Sequence, residues 1–111
     1  PMVLQKLIDK KGFKKHKEIY NRIYMKQDTF SSILRGKYAQ VKRENVLRLC
    51  VGLKLSIDEA EELMRSAGFY FSEGDILDVV IKANIVNQCY DTFYIDGELC
   101  ENNAPTLFAL S

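Results

Sequence analysis

The chain has 111 residues, 47% of them apolar and 28% charged, enough to bury the core of one small domain without disulfide or metal staples. Its net charge of +1 conceals two opposed halves: residues 1–55 hold 14 Lys and Arg against Asp9, Glu18, Asp28 and Glu44, a net of +10, while residues 56–111 hold Arg65 and Lys82 against 11 acids, a net of −9. The basic half points to a polyanion, and no apolar run approaches the roughly 20 residues that span a bilayer, so a membrane-spanning helix is excluded.

Apolar spacing is helical from the start. Val3, Leu4, Leu7 and Ile8 share one face of a first helix ending near Gly12, and the polar residues Gln5, Lys6 and Asp9 interrupt it too early for a secretory signal. Ile19 and Ile23 mark a second helix, and Phe30, Ile33 and Leu34 a third that Gly36 stops. Val46, Leu49, Cys50 and Leu53 line a fourth, ending around Gly52 to Lys54.

Ser56-Ile57-Asp58-Glu59 is a capping box that opens a fifth helix with a buried stripe of Ile57, Ala60, Leu63, Met64 and Ala67. Gly68 suits its left-handed end. The acids Asp58, Glu59, Glu61 and Glu62 read as a solvated, dipole-favoured first turn without basic partners nearby. Ser72-Glu73-Gly74-Asp75 is expected to cap a sixth helix from Ser72. Its main apolar set is Ile76, Val79, Val80, Ala83 and Val86, widened by Leu77, Ile81 and Ile85. Residues 90–103 read as helix capped by Asp91, or as a short strand before an Asp96-Gly97 turn; helix is expected, because a lone strand has no partner. Pro105 ends this segment, and Leu107, Phe108 and Leu110 form an apolar tail.

Catalytic and metal chemistry find no foothold. There is no Gly-rich phosphate loop, HExxH or GxSxG motif, so no catalytic residue, cofactor or metal is assigned and the chain is not expected to be an enzyme. Cys50, Cys89 and Cys100 are odd in number and lack CxxC spacing, as fits reduced thiols of a cytoplasmic protein.

The second and third helices are basic and separated by a short turn. The segment from His16 to Arg35 resembles the helix-turn-helix of the phage-repressor (Cro, Xre) family. That family's apolar positions fall on Ile19, Ile23, Met25, Phe30 and Ile33, and Arg35-Gly36-Lys37 is similar to its ending. Two positions depart. Tyr20 stands where the family carries Ala at a close helix approach, and Tyr24 where it carries Gly with positive φ, so an altered turn or splayed helices are expected.

A narrower resemblance rests on Tyr20, Thr29-Phe30-Ser31, the run Leu55 to Leu63, Ser66-Ala67-Gly68-Phe69 and the block Tyr90 to Leu99. These look like one group of bacterial helix-turn-helix modules that occur alone or fused to ADP-ribose-binding macro domains. The resemblance implies an all-α, lambda-repressor-like five-helix domain over residues 1–70. Residues 71–111 would add one or two helices as an acidic, apolar extension packed on it.

The function this implies is sequence-specific binding of double-stranded DNA by a transcriptional regulator, with the helix at about residues 26–35 in the major groove. Gln27, Asp28, Ser31 and Ser32 would meet base edges. Lys15, Lys17, Lys26, Arg35, Lys37, Lys42 and Arg43 would hold phosphates. Residues 73–111 are expected opposite the reading helix, where they build a homodimer or dock a partner domain; the alternative is that they fold back to complete the monomer's own core. The alternative function is a protein-interaction module that keeps the fold without DNA binding, which Tyr20, Tyr24 and Asp28 favour.

Overall fold

Seven α-helices succeed one another in the computed structural model, which describes residues 2–36 and 41–109. They are α1 (Met2–Lys11), α2 (Lys17–Tyr20), α3 (Gln27–Leu34), α4 (Arg43–Gly52), α5 (Ile57–Ser66), α6 (Ile76–Val86) and α7 (Thr92–Glu101). The described residues contain no strand, so the all-α expectation holds and the ambiguous segment after Tyr90 is helix. Asp91 caps it, its Oδ1 accepting from the Tyr94 amide at 3.1 Å. Among the described residues no helix is long and apolar enough to cross a membrane.

Helices α4 to α7 share one style of ending, which explains their short connections. After α4, Lys54 N–H donates to Val51 and Leu55 N–H to Cys50, with Lys54 in the left-handed region at φ 53°. The same paired bonds close α5 at Gly68 and Phe69, α6 at Gln88 and Cys89, and α7 at Asn103 and Ala104. This is the Schellman pattern, in which two otherwise orphaned carbonyls are satisfied as the chain reverses. Of these four stops only the one after α5 uses Gly, so glycine spacing alone reveals few of them.

One core unites both halves of the chain. Leu4, Leu7, Ile8, Ile19, Ile23, Phe30 and Leu47 from the basic half pack in the same cluster as Ile81, Ile85, Ile95, Leu99, Leu107 and Phe108 from the acidic half. α4 packs on α2, α5 and α6, and α1 packs on α5. The radius of gyration, 13.0 Å, is about that of a single compact domain of this length. At Gly52 a Cβ would lie 2.9 Å from the Ile23 side chain, so the absence of a side chain sets how closely α4 approaches the second helix.

α6 buries Val80, Ile81 and Ile85 and leaves Ile76, Val79, Ala83 and Val86 exposed. The helix is apolar nearly all round, and its own pattern has no power to choose the face. Two expectations are corrected in the acidic half. First, the N-cap of α6 is Asp75, whose Oδ1 accepts from the Leu77 amide at 2.9 Å, rather than Ser72. Ser72 lies outside the helix and its amide donates to Asp78. Second, the acids of α5 do have basic partners: Glu59 meets Lys10 at 2.7 Å and Lys11 at 2.8 Å, and Lys6 lies 4.0 Å from Glu62.

The tail folds back onto the monomer's own core, the arrangement set out as the alternative to dimer or partner docking. The Asp96 carboxylate, nearly buried, accepts from the amides of Leu107, Phe108 and Ala109, and Arg48 Nε donates to the Leu107 carbonyl at 2.9 Å. Those bonds fix the strap that places Leu107 and Phe108 in the core. Leu110 lies outside the described residues.

Candidate nucleic-acid interface

α2 is a single turn whose coil runs on through residues 21–24 before the chain enters α3. The five residues at the helix-turn-helix apolar positions, Ile19, Ile23, Met25, Phe30 and Ile33, are all buried. Phe30 is the anchor: the rings of His16 and Tyr20 tilt against it at centroid distances of 5.2 and 5.6 Å. Tyr20, bulky where a small residue was expected, is therefore a packing residue at the α2–α3 joint.

Tyr24 lies in the left-handed region. Its φ is 57°, with Met25 N–H donating to Tyr20 at 2.9 Å and Tyr24 N–H to Asn21 at 3.4 Å. The turn is closed by the Schellman pair of bonds with an aromatic residue at its left-handed position. It is tolerated because the ring projects outward, 60% exposed, and meets no core wall.

Gln27 and Asp28 begin α3 and are exposed, while Ser31 and Ser32 are half-buried along it. Phe30 and Ile33 hold the inner face, so Gln27, Asp28 and Ser31 lie along the outer side of one helix about 12 Å long. Lys15, Lys17, Lys26, Arg35 and Lys42 are all exposed, and none of their charged groups lies within 4 Å of a carboxylate among the described residues. Lys37 lies outside the described residues.

Arg43, expected at a phosphate, is committed elsewhere. Its Nη1 donates to Asp78 Oδ1 at 2.7 Å, and its Nη2 bonds both Asp78 Oδ2 and the Tyr70 carbonyl. Asp78 is 1% exposed, so Arg43 neutralises a buried carboxylate, and the phosphate assignment gives way to that role.

Two further arginines behave alike. Arg22 donates to the carbonyls of Gly52 and, at 3.4 Å, Tyr90, and Arg48 donates to Leu107 and Asn45. Three of the basic half's arginines thus clamp the acidic half, as Lys10 and Lys11 of α1 do at Glu59, while Lys15, Lys17, Lys26 and Lys42 stay in solvent. Sequence reasoning treated both as one pool of positive charge. The signal it passed over is chemical: the planar, forked guanidinium suits inward pairs, whereas the ammonium of Lys is a strongly hydrated point charge.

Among the described residues no three His, Cys, Asp or Glu side chains converge to hold a metal. Cys50 is buried, and that burial pushes its thiol up to about 12, a poor nucleophile. Comparison with protein-family models, with curated proteins and with solved structures gives no match for this chain.

Proposed function

We propose that the chain is a sequence-specific double-stranded DNA-binding protein, a bacterial transcriptional regulator, with α1–α5 arranged as in the phage repressors and α3 in the major groove. The observation that carries this reading is the division of the basic residues. Arg43 neutralises buried Asp78, and Arg22 and Arg48 are spent on backbone carbonyls, which leaves Lys15, Lys17, Lys26, Lys42 and Arg35 exposed around an outward-facing α3. Burial of all five helix-turn-helix apolar positions supports the same frame. In this reading Lys15, Lys17, Lys26, Arg35, Lys37 and Lys42 hold phosphates, and Gln27, Asp28, Ser31 and Ser32 face base edges.

The test is gel retardation of duplex DNA over a range of salt. Five or more phosphate contacts give a log–log slope steeper than about −4. Replacing Lys26 and Arg35 with Ala weakens all sequences alike, whereas Gln27→Ala changes preference among sequences. No retardation at low salt ends this reading. Its rival, an interaction module without DNA binding, draws on two features. Asp28 places a negative charge at the tip of α3, where it repels phosphate, and Tyr24 exposes an aromatic ring at the turn.

A further inference from the structure

The exposed stripe of α6 has a symmetry of its own. Ile76, Val79, Ala83 and Val86 follow at intervals of 3, 4 and 3 residues, and the series reads the same in reverse. Ile76, Val79 and Val86 are 44%, 45% and 58% exposed, a high figure for large apolar side chains lined along one helix. The stripe carries no charge.

Beside it runs a groove of about 390 Å³ between α5, the segment before α6, and α6 itself. Met64, Phe71, Val79 and Ala83 line its apolar wall, and the ring of Tyr70 stands at its rim, 71% exposed. Its charged lining residues are of both signs, Glu61 and Glu73 against Arg65 and Lys82, because Asp78 is already spent on Arg43. A polyanion or a strongly basic peptide finds no matching field there. A surface of the same mixed charge does.

At the opposite end of α6, α7 presents Phe93, 88% exposed, with Tyr94 beside it in sequence, 55% exposed. One helix therefore has an apolar groove toward its start and an apolar projection beyond its end.

We propose that α6 is the interface of a two-fold homodimer, formed by a second copy of this chain crossing antiparallel over the exposed stripe, with the axis midway between Val79 and Ala83. That axis sets Ile76 against the second copy's Val86, and Val79 against its Ala83. It also carries each Phe93 toward the other copy's groove, and sets Glu61 and Glu73 among the other copy's Arg65 and Lys82. A self-complementary patch of this kind closes at two copies and leaves no free end for further growth. The proposal does not rest on DNA binding, because its residues lie outside α2 and α3.

Sedimentation equilibrium on the full chain, from about 1 µM to about 1 mM, tests it. Wild type is expected to pass from monomer to dimer in that range. Val79→Glu and Ala83→Lys, both at exposed sites on a helix, each raise the dissociation constant at least about thirtyfold while leaving the helical circular dichroism unchanged. Mixed in equal amounts, the two variants regain a dimer, since the antiparallel register faces the introduced carboxylate of one with the introduced ammonium of the other. Ile76→Lys, at the end of the stripe, provides a further variant should either substitution lower helicity, and it too weakens the dimer. A wild type that stays monomeric throughout, a dimer indifferent to Val79→Glu, or a mixture that remains monomeric overturns the proposal.

Discussion

Arg43 and Asp78 show how one residue can be misassigned by its neighbourhood in sequence. Arg43 sits in a run of basic residues, and its partner lies 35 positions away, with all of α5 between them. No local pattern marks that pair. Removing the guanidinium strands a carboxylate that is 1% exposed, so Arg43→Ala is expected to cost about 3–5 kcal/mol in urea unfolding, against less than about 0.5 kcal/mol for the exposed neighbour Lys42→Ala. Equal, small costs for both would return Arg43 to the solvent-facing set. Cysteine identity is equally silent on burial. Under native conditions Cys100, exposed, should react with a thiol reagent, while Cys50, raised to about 12 by burial, should react only on unfolding. Counting modified thiols by mass spectrometry with and without urea separates the two.

At the scale of elements, what the sequence made legible was what local chemistry dictates. The Ser56 capping box forms as read, with Ser56 Oγ accepting from the Glu59 amide and the Glu59 carboxylate from the Ser56 amide. Its second duty was invisible, because Lys10 and Lys11 reach Glu59 from α1, nearly 50 residues earlier. The pair of lysines makes the cap an electrostatic joint between α1 and α5. Burial by itself would raise the Glu59 pKa. The hydrogen bonds from Lys10, Lys11 and the Ser56 amide outweigh it and hold the carboxylate at about 2, below its ordinary 4.5. A depressed acid contributes its stability above the unfolded value, so that share is complete above pH 4.5 and is lost as pH falls toward 2. Lys10, raised by its bond to Glu59, adds a share present below its ordinary 10.5 and lost above it. Urea titrations at stepped pH should show wild type losing stability across the acid window, and Glu59→Gln should show a shallower loss there. A parallel pair of curves would remove Glu59 from the account. For α6 the sequence could not choose a face, because apolar residues surround the axis and only the neighbours α4 and α5 decide which become core. The α2–α3 turn was legible as a point of backbone strain, and Tyr24 does take the positive φ there. An L-residue at φ 57° carries a strain of about 1 kcal/mol, so Tyr24→Gly should leave stability unchanged or raise it by up to that amount. The same variant keeps DNA binding under the regulator reading and loses the partner under the interaction reading.

For the whole molecule, the opposed charges of the two halves prove to be part of how they join. Arg22, Arg43 and Arg48 reach from the basic half to Tyr90, Asp78 and Leu107, and the Tyr90 hydroxyl returns a bond to the Leu55 carbonyl. Val80, Ile81, Ile85, Leu107 and Phe108 complete a core that α4 and α5 cannot close by themselves. A fragment ending at Gly68 would lose all of these. It would also lose seven acids and one lysine, and its net charge would rise from +1 to +7. Two mechanisms could then unfold it, self-repulsion among the lysines or exposure of the core, and they respond oppositely to salt. Repulsion among surface charges is screened within about 3 Å at 1 M salt, whereas lost apolar burial is not replaced by screening. The burial term is the larger, because several fully buried side chains lose their cover, each worth about 1.5–3 kcal/mol, against a total domain stability of about 5–15 kcal/mol. Residues 1–68 are therefore expected to give no cooperative thermal transition and to bind a hydrophobic dye, at low salt and at 1 M salt alike. Recovery of a cooperative transition on adding salt would assign the acidic half a purely electrostatic role. A fragment already folded at low salt would make residues 69–111 a detachable accessory to a domain that stands without them.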